Sequence, residues 1–140
     1  MASGVYTAWH TACNKGDVDL DSHTIKLAIM NNSHTFNPDH DGWADVSANE
    51  ASGTGYTAGG KAVTGLAVTS DDANNRTKIT CDTVEWTGAT LSGYHAVAYD
   101  DTHASKVLLA SFDFGGVKSA SGGPFTVTIN ANGLVTIASA

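Results

Sequence analysis

The sequence predicts a mainly β fold: an antiparallel β-sandwich or barrel of about seven short strands with one short N-terminal helix. Three observations predict it. From Ile25 onward the apolar residues recur with a period of two. The apolar runs are short and separated by Gly, Asn and Asp, the residues that turns require. Only the first sixteen residues keep a helical spacing. The 140 residues suit a single domain, 1–140, with a long loop excursion at 31–60, and are enough to bury a core without staples.

The helix comes first. Val5, Ala8, Trp9, Ala12 and Cys13 are three or four residues apart and share one helical face. Ser3 is the expected N-cap and Gly16 the expected stop. The apolar face would pack on its own sheet or on a neighbouring subunit. Ile25, Leu27 and Ile29 then alternate with Lys26, Ala28 and Met30 as in a half-buried strand. Residues 31–60 lose that period. Asn31-Asn32-Ser33-His34 and Asn37-Pro38-Asp39-His40-Asp41-Gly42 are turn chemistry, and Trp43 to Val46 reads as a helical turn. Gly53 to Gly60 is glycine-rich. So long a structureless stretch is unusual in a compact domain and reads as a functional excursion used for contacts outside it.

Strand patterns return at Val63 to Thr69, followed by a turn at Asp71 to Asn75. Arg76 to Trp86 reads as one stretch bulged near Asp82. Tyr94 to Tyr99 follows, then Lys106 to Phe114 with Leu108, Ala110, Phe112 and Phe114 on one side. Gly115-Gly116 to Gly122-Gly123 reads as a loop. Asn132-Gly133 is a two-residue hairpin signal joining Phe125 to Ile129 with Leu134 to Ile137.

Charge excludes several functions. Acids outnumber bases fourteen to seven, for a net charge of -7. That argues against a nucleic-acid surface, which needs clustered Lys and Arg, and against anionic lipid. No apolar run is long enough to span a bilayer as a helix, and Met1-Ala2-Ser3-Gly4 lacks the charged start and apolar stretch of a signal peptide. Cys13 and Cys81 have no metal or redox spacing and read as small buried apolar side chains rather than a disulfide.

The motifs for chemistry fail one by one, so no catalytic residue, cofactor or metal is expected. Asp17-Val18-Asp19-Leu20-Asp21 resembles the start of a calcium loop, yet Ser22 and Ala28 stand where Gly and Glu are needed. It reads as a solvated turn. Six scattered histidines, Asp39-His40-Asp41 among them, lack ligand spacing. Gly53-x-Gly55-x-x-Ala58 does not sit between a strand and a helix, which a dinucleotide site needs. There is no GxSxG elbow. Glu50 and Glu85 are the only glutamates, and spacing does not make them a hydrolytic pair. Trp86, Tyr94 and Tyr99 lie in strand patterns and read as core. Trp9, Trp43, Tyr56, Gly53, Gly55, Gly59 and Gly60 are the candidate contact residues. For Trp43 and Tyr56, anchoring a partner and pinning the excursion to its own sheet stand as equal alternatives.

One resemblance covers most of the chain after Gly16. Its residues are Asp19-Leu20-Asp21, Thr24 to Ala28, Asp45-Val46-Ser47-Ala48-Asn49-Glu50 and Gly53-Thr54-Gly55-Tyr56-Thr57-Ala58-Gly59-Gly60. Asp72 to Arg76, Val84-Glu85-Trp86, Tyr94 to Tyr99, Phe112 to Gly115 and Phe125 to Ile137 continue it. Together they resemble a family of small tailed-phage virion structural proteins. The resemblance implies a non-enzymatic particle component, made in the host cytoplasm and carried in the virion. A small, acidic, β-rich domain with a long loop suits a capsid cement or decoration protein on the capsid exterior, bound to the major capsid protein and self-associating as a homotrimer. A tail or tail-fibre-associated structural or glycan-binding module is the alternative.

Overall fold

The computed structural model of the chain describes residues 3–138. The chain enters as a two-residue strand, β1 (Gly4–Val5), and continues into the helix α1 (Thr7–Lys15). Trp9 and Ala12 of the expected face are buried. Gly16 ends the helix in the left-handed conformation (φ 77°), and its N–H bonds the Cys13 carbonyl at 3.2 Å. The start differs from expectation. Tyr6, not Ser3, holds the N-cap position and offers no side-chain cap. Ser3 lies beyond β1, where its hydroxyl oxygen accepts the Asp113 N–H at 2.8 Å.

Seven further strands follow: β2 (Ile25–Met30), β3 (Lys61–Ala62), β4 (Ala67–Asp71), β5 (Arg76–Thr80), β6 (Val84–Asp100), β7 (Leu108–Val127) and β8 (Val135–Ala138). They form two antiparallel sheets, ordered β1-β7-β6-β2-β3 and β4-β5-β8. The fold is mainly β and sandwich-like, as expected, but two strands are long: β6 has 17 residues and β7 has 20.

That length accounts for several departures. The Gly115 to Gly123 segment is strand, not loop, because β6 pairs alongside it from Ala89 to Gly93. Gly115, Gly116 and Gly122 take positive φ near the places where the β6–β7 register shifts, as bulges require. Another register shift, between Ala98 and Tyr99, turns Leu108 to the opposite face from Ala110. Arg76 to Trp86 is not one bulged strand, for β5 and β6 belong to different sheets and Cys81-Asp82-Thr83 is the crossing. Of the expected strand at Val63 to Thr69 only Ala67 to Thr69 is strand, in β4; residues 63–66 cross to the small sheet from β3, which ends at Ala62. The Asn132-Gly133 turn forms, with Gly133 at φ 86°. It does not close a hairpin: β7 pairs with β6, whereas β8 pairs with β5.

Strand β2 is not half-buried. Ile25, Leu27 and Ile29 enter the larger core with Trp9, Ile79, Leu109, Phe125 and Val135. Ala28 and Met30 enter a second core on the other face, with Tyr6, Val46, Val97, Tyr99 and Leu108, against which Phe36 and Trp43 pack. The five-stranded sheet is therefore a middle layer. The helix and the small sheet cover one face, and the first half of the excursion, with Phe36, Trp43 and Val46, covers the other. No helix among the described residues is long and apolar enough to cross a membrane.

Trp9 is 1% exposed and is the largest of the fully buried side chains. Replacing it with alanine removes a wholly buried ring from under the helix. Trp9→Ala is expected to lose about 3–5 kcal/mol of stability, read as a lower urea midpoint with an unchanged slope.

Candidate functional site

The excursion is held to the sheet by its own residues. Its first half turns through two short 3-10 segments, Trp43–Asp45 and Ser47–Asn49. The Asp45 carboxylate accepts the N–H groups of Asp41 and Gly42, which holds its pKa below the usual carboxylate range. Trp43 stacks on Tyr99 with centroids 4.5 Å apart and planes at 20°. The chain then passes around the β2 edge. Ala51 and Tyr56 pack against the opposite core.

Strand β2 leaves the backbone of Ile29 facing outward between Ala51 and β3. Both groups find partners in the excursion. The Ile29 carbonyl accepts the Ala51 N–H at 2.8 Å. The Ile29 N–H donates to the Tyr56 hydroxyl at 3.0 Å, and that hydroxyl donates to Glu50 Oε1 at 2.7 Å. The same Glu50 oxygen accepts the Gly59 N–H at 2.6 Å. Burial, foremost, raises the Tyr56 phenol far above its ordinary value. Tyr56 thus fills a gap in the sheet edge that no strand occupies.

The glycines answer to the same packing. A Cβ at Gly53 would stand 2.1 Å from the Thr90 carbonyl oxygen, and one at Gly60 would stand 2.2 Å from that of Leu27. Gly55, Gly59 and Gly60 also have positive φ. Glycine is required because the excursion's backbone lies directly against its own sheet.

Of the expected contact residues, Trp9 is corrected outright: a side chain at 1% exposure has no surface to offer a partner. Trp43 and Tyr56 are half-buried, and the alternative that they pin the excursion to its own sheet describes what they touch. Gly53 and Gly55 lie at the surface, and Gly59 and Gly60 are partly covered. Glu50 is occupied by Tyr56 and Gly59, while Glu85 is exposed and accepts the Thr126 hydroxyl. Asp19 accepts Asp21 N–H and the Ser22 hydroxyl, so the acidic segment is an exposed turn. Cys13 is exposed, not buried as expected, and Cys81 is half-buried; both are free thiols. Burial pushes the Cys81 thiol up to about 11 and raises that of Cys13, the reverse of an activated nucleophile. Among the described residues no group of three or more His, Cys, Asp or Glu could hold a metal.

The surface suited to a partner lies elsewhere, on the outer edge of β7. That edge is covered by β1 only at Ala110 and Ser111. From there to Val127 no other described strand pairs with it. Val117 is 50% exposed. Beside the edge run two adjoining depressions, of about 370 and 190 Å³, that share Phe114, Val127 and Thr128. The larger is lined by two stretches of β7 itself, and the smaller opens between β7 and the Thr128 to Leu134 crossing to the small sheet. Sequence reasoning missed this surface because it took the glycines of β7 for a loop.

Comparison of the chain with models of known protein families, with curated proteins and with solved structures found no match.

Two substitutions test the excursion's packing. Tyr56→Phe strips a partner from a backbone N–H and from a carboxylate and is expected to cost about 1–3 kcal/mol. Gly60→Ala is expected to be worse than Gly16→Ala. Both positions are left-handed, at φ 81° and 77°, but nothing lies within 4 Å of a Cβ at Gly16. Strain alone costs about 1–2 kcal/mol there, and overpacking adds about 1–3 kcal/mol at Gly60. Urea unfolding of the three variants reads the order directly.

Proposed function

We propose that this chain is a structural component of a tailed-phage particle, seated on the outside of the head as a cement or decoration protein. In this reading it binds the major capsid protein and copies of itself, as a trimer, through protein–protein contacts alone. The resemblance of the Asn49-Glu50 and Gly53 to Gly60 segments to small virion proteins motivates it.

The observation that carries the reading is the β7 edge, without a strand partner beyond Ser111 among the described residues, and the partly apolar trench beside it, with Phe114, Phe125 and Val127. An unpaired edge offers main-chain donors and acceptors, and adjacent apolar hollows receive alternate side chains of an added strand. That is a means of clamping a neighbouring protein without a catalytic pocket. The excess of acids, fourteen against seven, gives a surface that repels other particles of the same kind. It also favours contact with protein over contact with a packaged genome.

Cryo-electron microscopy of the particle tests the reading. Density for this chain on the outer head lattice is expected, and density confined to the tail overturns it. Val117→Asp should reduce occupancy on heads severalfold while leaving the melting temperature of the isolated protein within about 2 °C, because Val117 is exposed. Unchanged occupancy would remove the β7 edge from the contact.

A further inference from the structure

A polar cluster lies sealed beneath the first half of the excursion. His34, in the excursion, is 1% exposed, and His95, on β6, is 2% exposed. Their rings meet edge to face with centroids 5.0 Å apart and planes at 68°. His34 Nε2 and the Ser111 hydroxyl of β7 are 3.0 Å apart. Neither ring nitrogen of His95 has a hydrogen-bond partner among the described residues, and the same holds for the buried Nδ1 of His40. The groups facing His34 are His40 from its own segment, His95 from β6 and Ser111 from β7. Asp113 of β7 stands 3.8 Å from His95 Nε2. Tyr6, at the helix start, lies beside Ser111 without hydrogen-bond geometry, and burial pushes its phenol up to about 12.

An imidazole buried as His34 is tolerates a proton poorly. A proton on His34 would be buried against the His95 ring, while the nearest carboxylate of the cluster, Asp113, lies on the far side beside His95. We propose that His34, sealed against His95 and Ser111, is an acid-sensitive latch, which holds residues 31–46 on the sheet while neutral and releases them when protonated. Release would uncover the second core face, formed by Met30, Val97, Tyr99 and Leu108. The released state is a local opening, because the first core, with Trp9, Leu27 and Phe125, lies on the other side of the sheet.

The sign follows from linkage. Burial, then the nearby His95 and His40, lower the His34 value from 6.5 to about 4. Between those values the open form takes a proton that the closed form refuses. The latch is therefore fully stabilising above 6.5 and weakens as the pH falls toward about 4. Within that window one proton shifts the open-to-closed ratio by about tenfold per pH unit.

Hydrogen exchange of the whole chain from pH 7 to pH 4, corrected for intrinsic rates, tests the proposal. Residues 31–46 are expected to lose protection as the pH falls, while β6 and β7 keep theirs. His34→Gln should move that loss to lower pH. Three outcomes overturn the latch: protection of 31–46 that is flat to pH 4, equal loss in the wild type and His34→Gln, or simultaneous loss across all strands. Should His34→Gln fail to fold, the imidazole Cε1–H resonance of His34 in the wild type decides. A midpoint well below 6.5 supports the latch, and one at or above 6.5 overturns it.

Discussion

Strand β2 carries apolar side chains on both of its faces, and the structure is arranged around covering it twice. An antiparallel sheet can leave one face to water. This one cannot, since Ile25, Leu27 and Ile29 point one way while Ala28 and Met30 point the other. Regular elements supply one cover, the helix and the small sheet. The other cover has almost no regular structure. A segment of that kind must still satisfy its own backbone groups when buried. The Asp45 turn, the Ile29 pairing with Ala51 and Tyr56, and the Glu50 contacts are how it does so.

The same constraint explains the composition. Glycine in the 53–60 stretch first reads as freedom to adapt to a partner. It is instead the consequence of backbone pressed against backbone, at Thr90 and at Leu27. The aromatic residues follow the same logic. Trp43 on Tyr99 and Tyr56 against Trp86 are contacts within the chain. The edge without a pairing strand among the described residues is at the other side of the sheet, along β7, where glycine marks bulges rather than a loop. Irregular stretches and exposed stretches are thus different parts of this molecule.

Much of the fold was legible in local sequence. Gly16 as helix stop, Ile25 to Met30 as strand and Asn132-Gly133 as turn all depend on neighbours within a few residues. What was not legible depends on partners far along the chain. Ser3 failed as an N-cap because β1 precedes the helix and pairs with Ala110 and Ser111. The Gly115 to Gly123 stretch is strand only because β6 runs beside it. Asn132-Gly133 looked like a hairpin, yet its flanking strands seek different sheets. His34 and His95 looked scattered in sequence, and only the fold brings their rings into contact. The candidate site was the least legible part, for an edge is defined by the strand that is missing beside it.

The order of elements along the chain has one further consequence. The excursion is synthesised before β6 and β7, yet those strands provide Val97, Tyr99 and Leu108, the surface it must close upon. As the polypeptide leaves the ribosome, Phe36, Trp43 and Val46 wait without a seat. The strap can tighten only after the long hairpin has emerged and paired. Until then its apolar side chains are open to capture by other nascent chains, the interval in which such a protein depends most on chaperones.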